Sequence, residues 1–136
     1  MALRFEFDAE NKILLARPEG RITDESLAEV YGAIRKHSTA TDARAGIFDL
    51  SSVTEFAISA EFVRHLARQE PAMPDALRRP RIIAVMSPTG FGFARMFQIA
   101  GAETRPLLEV VHTRDEALAT LGVQSPHFEP LEGPPR

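Results

Sequence analysis

Residues 81–98 read "RIIAVMSPTGFGFARMFQ". The run from Arg81 to Met86 is apolar without alternation, as in a buried strand. Ser87 and Pro88 break it. Beyond them Phe93, Met96, Phe97 and Ala100 recur at helical spacing and mark the core face of a helix. A buried strand passing directly into a helix is half of a crossover unit, which points to an α/β sheet.

Working outward, strands and helices follow one another in the same way. "AGIFDL" (45–50) is a second buried strand and "LLEVVH" (107–112) a third. "LRFEFD" (3–8) alternates strictly, with Leu3, Phe5 and Phe7 on one face, so it reads as a strand at a sheet edge. A polar turn, "DAEN", joins it to "KILLAR" (12–17), giving an antiparallel hairpin that Pro18 and Gly20 close. Thr23 or Asp24 caps a first helix running to about His37, with Leu27, Val30, Tyr31 and Ile34 inward. Ser59 caps a second helix ending near Gln69, with Phe62, Val63, Leu66 and Ala67 inward and Ile58 and Val63 as a staple. "TRDE" (113–116) is a capping box opening a fourth helix that stops at Gly122. "SSVTEF" (51–56) reads as a loop, and "EPAMPDALRRP" (70–80), with its three prolines, as irregular chain. The fold expected is one domain over residues 1–123. It has a five-stranded, mostly parallel sheet opened by a hairpin, with four helices packed on it. Residues 124–136 carry four prolines and read as a tail.

Composition narrows the function classes. The 136 residues suffice for one real core. Net charge is −3, which gives no bulk case for nucleic acid or an anionic membrane. Cysteine is absent, so disulfides and thiolate chemistry are excluded together. No apolar run reaches the roughly 18 residues needed to span a bilayer. The start, "MALRFEFDAE", shows no apolar leader, and a cytoplasmic location is expected.

Four segments carry a family resemblance: "GRITDESLAEVYGAI", "AGIFDLSSV", "GFGFARMFQ" and "TRDEALATLG". With the element order they make residues 3–122 resemble the SpoIIAA-like branch of the STAS domains, the anti-sigma-factor-antagonist fold. The resemblance implies a small module for binding and regulation, linked by name to lipid-binding SEC14 domains. It also implies a difference. Antagonists of this kind carry Asp-Ser-Ser-Gly before the second helix, with a phosphorylated serine. This chain has Ala57-Ile58-Ser59-Ala60 there, so Ile58 occupies the phosphoacceptor's place. Ser59 remains as a poor candidate for phosphorylation, because its hydroxyl already serves as a cap.

No catalytic set can be assembled from spacing. Gly90 and Gly92 lie in Gly-Phe-Gly-Phe-Ala-Arg, which lacks the third glycine of a dinucleotide fingerprint and the lysine of a P-loop. The glycines are expected to permit a tight turn and close packing. Asp49 ends a strand as in a phosphoreceiver, but neither an acidic cluster nor a lysine accompanies it, so it more simply accepts N–H bonds from its own loop. The serines lack a nucleophile elbow, and the four histidines have no metal-ligand spacing. Arg78, Arg79 and Arg81 read as a solvated rim.

Ligands of open α/β sheets bind at the carboxyl ends of strands. Phe91, Arg95, Asp49, Ser51, Ser52 and His112 all map near that edge, and Phe93 and Phe97 stand just inside it. Phe91 is placed at the mouth of the third helix. The leading expectation is a non-enzymatic module making protein contacts at the carboxyl edge and the start of that helix. The alternative is a carrier or sensor of a small apolar, lipid-like ligand seated under Phe91, Phe93 and Phe97. Neither a cofactor nor a metal is expected. A homodimer is expected, formed through Phe91 or through Phe128 and Leu131 of the tail.

Overall fold

The computed structural model describes residues 2–73 and 78–131. In chain order the elements are β1 (Ala2–Asp8), β2 (Ile13–Thr23), α1 (Asp24–Ala40), β3 (Ala45–Asp49), β4 (Val53–Ala57) and α2 (Ala60–Arg68). They continue with β5 (Arg81–Ala84), α3 (Pro88–Ala100), β6 (Leu108–Val111), α4 (Arg114–Thr120) and β7 (Glu129–Pro130). Residues 74–77 of the proline-rich stretch and 132–136 of the expected tail lie outside the described residues.

The sheet runs β6-β5-β3-β2-β1-β7, with β4 also paired to β2. Pairings among β2 through β6 are parallel, and β1 is antiparallel to both β2 and β7. The expected mixed sheet, opening hairpin and four helices are therefore present. Two strands exceed the expectation.

The first is β4, where a loop was expected. The reason lies in β2, which does not end at Pro18 and Gly20 but continues to Thr23. Its first half pairs with β3 up to Ala16, and its second half pairs with β4 from Gly20. Pro18 falls in the gap between these two partners, where a residue without an N–H breaks no parallel ladder bond. Gly20 carries the irregularity in register, at φ +87, a region a side chain disfavours. Its N–H donates to Ser52 O at 3.0 Å, which brings β4 alongside.

The second extra strand is β7, which lies on β1, so β1 is not the sheet edge there. The described part of the expected tail is thus attached to the domain. Phe128 packs on one core cluster and Leu131 on another, and the Leu131 N–H donates to Phe5 O at 2.9 Å. These two residues are therefore partly buried against the domain.

Both sheet faces are covered. Ile13, Leu15, Ile47 and Ile82 face α4 through Ala117 and Leu118. Leu14 and Ala16 face Ala33 and Ile34 of α1, while Ile83 and Val85 pack against Ala94 of α3. Fully burying each large aliphatic chain is worth about 1.5–3 kcal/mol. The helix starts follow the sequence closely. Thr23 and Thr113 each form a capping box, with Ser26 and Glu116, and Ser59 caps α2. Gly122 sits at φ +73 just after α4, as a helix-stopping glycine should.

Candidate functional site

α3 carries most of the expected site residues, and it begins earlier than expected. Ser87 is its N-cap and Pro88 its first residue, so Gly90 and Gly92 lie inside the helix rather than in a turn before it. Gly90 has a packing reason. A Cβ there would stand 2.5 Å from Phe56 Cζ and 2.6 Å from Val85 Cγ2, so only glycine lets the helix lie this close. Gly92 is exposed, and a side chain there would meet nothing. Two N–H groups near the helix start are already in use: Gly90 N–H donates to Ser87 Oγ and Phe91 N–H to Ser87 O. The helix buries Gly90 and Ala94, whereas Ala100, placed inward by its spacing, is exposed.

The expected site residues separate into three places. At the carboxyl edge Phe91 is half-buried, not an open mouth residue. Its ring stacks on His112, with centroids 4.6 Å apart and planes at 14°, and it packs against the cluster around Val85. Asp49 is buried at the end of β3, and its Oδ1 accepts the Ser51 N–H at 3.0 Å, as expected of a loop-closing aspartate. Ser51 is exposed. Arg95 points to solvent and bonds Gln98 on its own helix. Phe93 and Phe97 go elsewhere: they line an internal cavity.

That cavity lies between the sheet and α1, α2 and α3, with a volume of about 160 Å³. Val30 of α1, Val63 and Leu66 of α2, and Leu14 and Ile83 of the sheet form much of its wall. The polar side chains among its described lining residues are Tyr31, Arg81 and Arg105. Sequence periodicity identified the apolar wall as core but gave no sign of the space inside it.

The two arginines are the main departure from expectation. Arg81 is not part of a solvated rim. It starts β5, its Nε and Nη2 are buried without a hydrogen-bond partner among the described residues, and burial together with the Arg105 charge pushes its pKa down to about 10. Nearby Tyr31 acts in the other direction. Arg105, which precedes β6, is 2% exposed. It is held by the carboxyl end of α2: Nη1 donates to Ala67 O at 2.7 Å, and Nη2 to Gln69 O at 3.0 Å and Leu66 O at 3.3 Å. Nη2 also reaches Tyr31 Oη at 3.1 Å, and the guanidinium lies 4.7 Å from the Phe97 ring centre. The ion pairs among the described residues involve neither arginine. Both arginines therefore border the cavity at the amino ends of β5 and β6, opposite the edge where the sequence placed the site.

Ser59 is exposed but occupied. Its Oγ accepts the Phe62 N–H at 3.1 Å and lies 2.9 Å from Asp24 Oδ2, while Asp24 Oδ1 accepts the Ser59 N–H. No cluster of metal-ligating side chains occurs among the described residues, and no described helix is long and apolar enough to cross a membrane.

No protein-family model matches the chain, and no curated protein does. Solved structures similar to it include two of SpoIIAA. The anti-sigma factor antagonist SpoIIAA in its unphosphorylated form is 14% identical, with a TM-score of 0.56 over 91% of this chain and 100% of that one. The Bacillus cell fate determinant SpoIIAA in the phosphorylated form is 18% identical, with a TM-score of 0.55 over 88% of this chain and 99% of that one. The likeness spans the sheet and its helices nearly end to end, and the chain has the SpoIIAA, or STAS, fold.

Proposed function

We propose that this chain is a non-enzymatic binding module that holds a small apolar molecule between its sheet and α1, α2 and α3. The carrying observation is the cavity of about 160 Å³ walled by apolar side chains, including Phe93 and Phe97. Its size sets the ligand's size. An engineered apolar cavity of about 150 Å³ in another protein admits a benzene ring. The body expected here is therefore a ring or a short acyl segment rather than a long lipid chain. Benzyl alcohol is a suitable neutral probe. At ten times its dissociation constant it stabilises the folded state by about 1.4 kcal/mol, a melting shift of about 5 °C. No shift up to the solubility limit would contradict the reading.

A second reading is protein contact at the carboxyl edge, favoured by one observation beyond the fold shared with an antagonist. Met86, next to the cap of α3, is 62% exposed at the sheet edge that also carries the Phe91–His112 stack. Self-association through this edge and a cytoplasmic setting belong to the same reading. Here the phosphorylation switch is absent. A phosphate on Ser59 would face the Asp24 carboxylate at hydrogen-bond distance, and like charges this close repel. Incubation with an anti-sigma-factor kinase and ATP is expected to leave the intact mass unchanged. Stoichiometric phosphate on Ser59 would overturn that expectation.

A further inference from the structure

We propose that the cavity fills through a gap between the starts of α1 and α2, and that the pair of hydrogen bonds from Ser59 to Asp24 is the latch that closes it. The proposal rests on the reading that the cavity holds a ligand, and adds the route by which the ligand arrives.

The two helices are joined unequally at their two ends. α1 packs against β2, whereas α2 packs against α3. At the carboxyl end of α2 the join is buried: Arg105 holds Leu66 O, Ala67 O and Gln69 O and reaches Tyr31 of α1. At the start it is exposed. Ser59 N–H donates to Asp24 Oδ1 at 2.8 Å, and Ser59 Oγ donates to Asp24 Oδ2 at 2.9 Å. Leu27, one turn after Asp24, and Ile58, next to Ser59, line the cavity and are half-buried. Val30, Val63 and Leu66, further along the two helices, are buried. Apolar wall and solvent thus meet beside the latch. Hydrogen bonds whose partners can turn to water instead add little net free energy, so the exposed pair opens more readily than the Arg105 end. Ser59 Oγ also accepts the Phe62 N–H, so α2 keeps its cap when its start moves away from Asp24. Two such bonds make the open state about tenfold rarer than it would be without them.

Methyl NMR exchange with benzyl alcohol on the full chain measures association and dissociation separately. Asp24→Ala is expected to raise both rates about tenfold and to leave the dissociation constant within about twofold of wild type. Glu70→Ala, which removes the exposed ion pair to Arg35 past the other end of α2, should leave both rates unchanged. The chain has no cysteine, so Asp24→Cys with Ser59→Cys makes one defined pair. Oxidising that pair should slow exchange at least about tenfold relative to the same protein reduced. Unchanged rates in Asp24→Ala, an equal rise in Glu70→Ala, or equal exchange in the oxidised and reduced pair would place the entrance elsewhere and leave the cavity reading intact. Faster dissociation with unchanged association would make Asp24 part of the binding wall and equally overturn the latch. Failure of the pair to oxidise would show that the two helix starts do not meet in solution, with the same consequence. No binding of benzyl alcohol to wild type would end the cavity reading, and the entrance with it.

Discussion

Arg105→Ala is expected to destabilise the fold by about 3–5 kcal/mol, which is large against the 5–15 kcal/mol that typically holds a domain together. The argument concerns what the substitution leaves behind. Ala67 O and Gln69 O lie at the end of α2 with no helical N–H to accept, while Leu66 O accepts the Gln69 N–H as well as Arg105. Arg105 satisfies them with a positive charge at the negative end of the helix dipole. Removing it leaves polar groups under-satisfied in a nearly dry region, at about 1–3 kcal/mol each. It also removes the guanidinium from the face of Phe97. Relief of repulsion toward Arg81 offsets part of this loss. Urea unfolding midpoints measure the outcome. A loss below about 1 kcal/mol would show that water replaces the guanidinium adequately, and that α2 does not depend on it.

Asp8→Ala is expected to cost about 3 kcal/mol and to flatten the acid side of the stability profile. Asp8 is fully buried at the end of β1. Its Oδ1 accepts N–H bonds from Glu10 and Asn11, and its Oδ2 accepts from Asn11 Nδ2 at 2.7 Å and His127 N at 3.0 Å. One carboxylate thus closes the hairpin turn and fastens the segment leading into β7. Burial alone would raise its pKa, but the bonds from Asn11, His127 and Glu10 outweigh burial and hold it below the ordinary 3.8. A depressed carboxyl contributes stability that is complete above its unfolded pKa and is lost as pH falls through its native one. Wild type should therefore lose stability below about pH 4, and Asp8→Ala should lose less over that window. Parallel profiles for the two proteins would refute this role.

The features legible in the sequence are those that local chemistry decides. Thr23, Ser59 and Thr113 cap their helices because a hydroxyl reaches N–H groups only three residues away. The buried strands β3 and β5 declare themselves by continuous apolar runs. What was missed depends on distant partners. β4 has exposed Thr54 and Glu55 at its centre and shows no alternation. It becomes a strand because β2 runs past Pro18 to meet it. β7 is two residues long and forms on β1. Arg81 follows Arg78 and Arg79 in a charged run, and nothing in that run shows that its Nε and Nη2 end up buried. A cavity is the difference between side-chain volume and the space the elements enclose, so periodicity that marks Phe93 and Phe97 as inward cannot reveal it. The carboxyl-edge candidates came from a rule about open sheets. That rule pointed to Asp49, Phe91 and His112 at one edge, and it had no access to the space enclosed beneath the helices.

The central claim is that an apolar molecule sits between the sheet and three helices. Methyl NMR titration with benzyl alcohol tests it most directly. The account predicts saturable shifts concentrated at Leu14, Val30, Val63, Leu66 and Ile83, which line the cavity on three sides. Methyls of the opposite face, such as Ile13, Leu15 and Leu118, should move little. Shifts confined to surface groups such as Met86 and Ile99, or none at saturation, would contradict it.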